Sequence, residues 1–81
     1  MSTLHILRNL DARYCLETLD VAAGDAVLLV QDGVLHRGQF PCPVSACRDD
    51  VNARQVEVDH PQVDYDGMRD LILAHDRALL W

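Results

Sequence analysis

AVLLV, residues 26 to 30, is the stretch on which the fold turns. Five apolar residues follow one another with no polar residue between them, so this segment has no side meant for water. A strand of that kind is covered on both faces, which is the mark of a parallel sheet. Gly24 lies just ahead of it and supplies a helix stop. QDGV (31 to 34) follows it, where Asp32 and Gly33 predict a tight turn: aspartate bonds to its own backbone and glycine accepts positive φ.

Upstream, TLHILR (3 to 8) reads as a first strand, and Asn9 or Asp11 offers a cap for a helix whose apolar stripe is Ala12, Cys15, Leu16 and Leu19. Downstream, HRGQFPCP (36 to 43) has the Gly and Pro content of an irregular connection, and PVSAC (43 to 47) is a further short strand. Asp49 or Asp50 then caps a brief helix, DDVNAR. QVEVDH (55 to 60) alternates like a strand until Pro61 interrupts it. VDYDG (63 to 67) leads into a helix with Met68, Leu71, Ile72 and His75 on one face, and ALLW closes the chain as a last strand. Asp64 and Asp66 favour the start of that helix and Arg77 its end. Strands alternate with helices, so residues 1 to 81 are expected to form one α/β domain: a small open, mainly parallel sheet with helices on both faces.

With 81 residues the chain sits near the lower limit for a self-sufficient core, which makes a stable partner an expectation. Thirteen acids face seven arginines and no lysine, and no basic run tracks a phosphate backbone, so direct nucleic-acid binding is not expected. No apolar stretch approaches the roughly 20 residues that span a bilayer, and no leader pattern opens the sequence, so a cytoplasmic protein without a membrane role is expected. Cys15, Cys42 and Cys47 fit neither a redox CxxC pair nor a zinc pattern, and reduced thiols are the default. His5, His36, His60 and His75 show no HxH or HExxH spacing, so neither metal nor cofactor is expected. Ligands of open parallel sheets gather at the carboxyl ends of the strands, and Asp32, His36 and Cys47 are the residues expected at that edge. Trp81 either seals the core or meets a neighbouring subunit, and the interface is preferred.

Three stretches in order, GDAVLLVQDGV (24 to 34), VSACRDDVNAR (44 to 54) and VDYDGMRDLILAHDRALLW (63 to 81), resemble the DsrH/TusB family over nearly the whole chain. The likeness rests on the QDGV turn after an apolar strand, the Asp-x-x-Ala-Arg helix, and a final helix carrying His before a terminal Trp. It implies a flavodoxin-like three-layer fold and a place as the non-catalytic subunit of a sulfur relay. Its partners would be TusC/DsrF-like and TusD/DsrE-like subunits, with a TusE/DsrC-like acceptor, serving tRNA thiolation or sulfur oxidation. This sequence departs from the family in a shorter connection between QDGV and VSAC and in Gln55 where a helix-stop glycine is usual, so a changed geometry is expected at that helix end.

Sister subunits in that family carry sulfur on a cysteine at a strand-to-helix junction, the location that Cys47 resembles. A helix dipole and Arg48 would favour a Cys47 thiolate, whereas Asp49 and Asp50 oppose it. Two rival functions therefore stand beside the subunit reading: a stand-alone sulfurtransferase or persulfide carrier using Cys47, and an α/β domain that associates only with itself as a homo-oligomer.

Overall fold

The computed structural model describes residues 1–81. Five strands form one sheet with every neighbouring pair parallel: β1 (Thr3–Leu7), β2 (Ala26–Leu29), β3 (Val44–Cys47), β4 (Gln62–Val63) and β5 (Arg77–Leu80), in the spatial order β4-β3-β2-β1-β5. All four residues of β2 are buried, as its unbroken apolar run predicts for a central strand. Helix α1 (Arg13–Thr18) follows β1, α2 (Arg48–Arg54) follows β3, and α3 (Tyr65–Ala74) joins β4 to β5.

Handedness decides which face each helix covers. From β1 to β4 the chain steps across the sheet in one direction, so right-handed crossovers keep α1 and α2 on one side. The return to β5 runs the other way and puts α3 on the opposite side. The packing agrees. Leu7, Val27, Leu29, Val44 and Ala46 cluster with Cys15 of α1 and Val51 of α2, whereas Leu4, Ala26 and Leu28 cluster with Met68 and Leu71 of α3. A three-layer α/β domain results.

Several local expectations change. Helix α1 ends at Thr18, and Gly24 instead closes a separate 3-10 turn (Val21–Ala23) in the left-handed conformation, at φ 89°, while Asp20 caps the turn's start. Helix α2 begins one residue early, at Arg48, with Cys47 as its cap residue and Asp49 and Asp50 in its first turn. The alternating segment 55–60 forms no strand. Pro61 has no N–H for a ladder, so pairing starts only at Gln62, and Val56 and Val58 pack on the core from a loop. Asp64 caps α3 through a 2.8 Å bond from the Gly67 N–H. Arg77, expected to close that helix, opens β5. No helix is long and apolar enough to cross a membrane.

Candidate functional site

At the carboxyl edge, the chain leaves β2 through a 3-10 turn, Gln31–Leu35, that docks on α2. Gln31 holds φ at 50°, and its N–H donates to Asp50 Oδ2 at 2.8 Å. Arg54, at the end of α2, donates from Nε to Asp32 Oδ1 at 3.1 Å and lies 3.5 Å from Asp50 Oδ1. One guanidinium thus ties the turn after β2 to the start of α2. Gly33 is needed for a different reason from the one its sequence suggests. Its φ is not positive, but a Cβ there would run into the carbonyl oxygen of Leu7. The left-handed residue in this turn is Gln31, which the bond to Asp50 holds in place.

Cys47 stands at the same edge, last in β3, with only 3% of its surface exposed. Burial pushes its thiol above the ordinary 9.0, and the Asp50 carboxylate acts in the same direction; the N–H groups of Asp50 and Asp49 oppose this only in part. Burial also pushes Cys15 up to about 11. Cys42 is raised by burial and then by the charge of Asp25. All three thiols are free. Because the thiolate is the nucleophile in sulfur transfer, these shifts run against that chemistry at all three thiols.

His36 lies at the opposite end of the sheet from Asp32 and Cys47. The 3-10 turn carries the chain back, so residues 36–42 run beside the start of β3 and face the loop that precedes β4. Between these loops lies a cavity of about 380 Å³ lined by His36, Phe40, Cys42, Val44, Glu57 and His60. The His36 ring rests against Gly38 and meets the Phe40 ring at 5.0 Å between centroids, and its Nδ1 is buried without a hydrogen-bond partner. Arg37 spans the two loops, donating from Nη1 to the Glu57 carbonyl at 2.9 Å. The edge expected to gather Asp32, His36 and Cys47 therefore holds two of the three.

A polar network missed by sequence reasoning lies under α1's side of the sheet. His5 of β1 and Asp25, just ahead of β2, are 1% and 4% exposed. Asp25 Oδ2 accepts from His5 Nε2 at 2.8 Å and from the Asp20 N–H at 3.0 Å, while Oδ1 accepts from the Thr3 N–H at 2.8 Å. Trp81 Nε1 donates to His5 Nδ1 at 3.0 Å, and its indole stacks at 15° to the imidazole. Indole nitrogen is only a donor, so Nδ1 must be the acceptor and Nε2 must carry the proton given to Asp25. Burial by itself raises the Asp25 carboxyl, but the bonds from His5, Asp20 and Thr3 together outweigh it and hold the group below its ordinary 3.8. The signal was a histidine in an otherwise apolar strand with an aspartate before the next one. Trp81 is thus turned inward, half-buried against the main core cluster. Arg8 and Asn9 also bond its carbonyl oxygen, at 3.3 and 3.4 Å, just past the paired ends of β1 and β5.

On the other face, α3 and the sheet bound an apolar groove of about 360 Å³ that includes Ile6, Leu28, Val30, Ile72 and Leu73. No group of three or more His, Cys, Asp or Glu side chains is arranged to hold a metal ion. The sequence matches no family model, and comparison with curated proteins finds no significant match.

Proposed function

We propose that this chain is a non-catalytic subunit of a DsrH/TusB-like sulfur-relay assembly, supplying scaffold and interface while a sister subunit carries the persulfide. The observation that carries the reading is the way the resembling stretches interlock. QDGV and Asp-x-x-Ala-Arg are joined by the Gln31–Asp50 and Asp32–Arg54 bonds, and the Trp at the end of the third stretch reaches through His5 to Asp25 of the first. Residues that line a reaction cavity point into open space; these spend their polar atoms on one another. That is the behaviour of a framework, and the raised thiols of Cys15, Cys42 and Cys47 agree with it.

The test is co-expression with TusC/DsrF-like and TusD/DsrE-like subunits. A stoichiometric complex that co-elutes at micromolar concentration supports the proposal, and three independent peaks overturn it. The rival carrier function predicts that the isolated chain gains the mass of one sulfur atom from a persulfide donor and loses that ability in Cys47→Ser. An isolated chain that takes up no sulfur and assembles only with itself would leave the self-associating domain as the better description.

A further inference from the structure

Resting on the subunit reading above, we infer that the groove beside α3 receives an amphipathic helix from a partner protein, with basic residues flanking its apolar stripe. Coverage of the two sheet faces is unequal. Five strands at about 4.8 Å spacing span about 19 Å between the outer strand axes, whereas one packed helix covers about 10 Å. On one face α1, α2 and the turn after β2 share that width. On the other, α3 is alone, and none of its residues is fully buried. The uncovered strip is apolar: the half-buried Ile6 and Val30 form its floor above the buried Leu28, and Ile72 and Leu73 form its wall on α3. Leu73 is 75% exposed and Leu80 59%, and Leu80 pairs in register with Ile6, so the apolar surface continues onto β5. The vacant width matches a second helix lying alongside α3.

Charge selects the occupant. Arg69 is the one cation lining the groove, and it is already engaged, 4.0 Å from Asp66 Oδ1 and 3.5 Å from Asp70 Oδ1. Asp64 and Asp76 flank the helix ends, so the rim is acidic on a chain of formal charge −6 without lysine. A second copy would bring two such rims together at a cost. A basic helix would be drawn to the rim by the same field that repels a copy.

The probe is a synthetic amphipathic Leu/Lys peptide of about 18 residues, long enough to hold a helix, with its Leu/Glu counterpart as the control. Binding to the full chain is followed by amide NMR shifts and titration. The inference expects shifts centred on Ile6, Leu28, Val30 and Leu73, with no binding of the Leu/Glu peptide. Leu73→Arg should weaken binding by about tenfold or more, the scale of one lost leucine contact. Asp66→Asn with Asp70→Asn should weaken it by about threefold at low salt, while Glu17→Gln on α1 should leave it unchanged. Circular dichroism verifies that each variant folds.

Shifts centred elsewhere, Leu73→Arg binding as tightly as the parent, or equal binding of the Leu/Glu peptide each overturn the inference. A concentration-dependent dimer in sedimentation that Leu73→Arg dissolves overturns it in favour of a second copy. The two readings fail separately. A sulfur-relay complex that survives Leu73→Arg sinks the groove assignment alone, and groove binding without relay partners sinks the subunit reading alone.

Discussion

Replacing Asp25 with alanine tests the buried network most severely. Its carboxylate accepts three hydrogen bonds, two of them from donors shut off from water, the Thr3 N–H and His5 Nε2. Each stranded donor costs about 1–3 kcal/mol, and the variant no longer has to desolvate a carboxylate, so the net loss should be about 3 kcal/mol. A chain of this size has about 4–12 kcal/mol in total, so the variant stays folded but is visibly weakened. Asp25→Asn is the sharper variant. Its amide NH2 must face either the Thr3 N–H or, on the other side, both the Asp20 N–H and His5 Nε2; moving the His5 proton to Nδ1 relieves only the last of these and then opposes the Trp81 N–H. Asparagine should therefore recover less than half of the loss and shift Trp81 emission to the red. Trp81 is the sole tryptophan, so urea unfolding followed by its fluorescence and by circular dichroism reads both effects. A loss below about 1 kcal/mol for alanine, or an asparagine variant equal to the parent, would refute the network's role.

The acid side of the stability curve carries the same signature. Asp25 is held below 3.8 in the folded chain and returns to that value on unfolding, so its contribution is complete above about pH 5 and is lost as pH falls through the folded-state value. Chemical denaturation between pH 5 and acid should show a flatter limb for Asp25→Asn. On the alkaline side, Cys15 keeps its proton to about 11 when folded against 9.0 when unfolded, so stability should drop as pH rises from 9 towards 11, and less steeply in Cys15→Ala, where only Cys42 and Cys47 still contribute. Gln55 ends α2 at φ 52°, ψ 43°, so Gln55→Gly should add about 0.5–1 kcal/mol, measured by the urea midpoint. Gly33→Ala should cost about 1–3 kcal/mol or more because its methyl meets the Leu7 carbonyl, and an unchanged melting temperature would contradict that packing.

The legible parts of the fold were those set by local pattern. AVLLV announced a strand covered on both faces, ALLW a last strand, and the spacing of Met68 and Leu71 the inner face of α3. The missing glycine at Gln55 pointed to a changed helix end, but Gln55 takes the left-handed conformation itself. What escaped was fixed by residues far apart in the chain. Gln31 takes the positive φ that seemed to belong to Gly33 because Asp50, nineteen positions on, anchors its N–H. His36 was placed at the wrong end of the sheet because the reversal after β2 is not written in the composition of HRGQFPCP. Trp81 and His5 are 76 positions apart, and no spacing rule joins them. Of the candidate site, the burial of Cys47 followed from its place at a strand end, and the Asp50 contribution to its thiol followed from sequence adjacency. The dominance of burial over the helix dipole needed the packing.

The most direct measurement is the intact mass of every chain after the co-expressed complex is treated with a persulfide donor. If this chain is the scaffold of a sulfur relay, the mass of one sulfur atom appears on a sister subunit and this chain remains unmodified. Sulfur that accumulates on this chain, and vanishes when Cys47 is replaced by serine, would contradict the proposed division of labour.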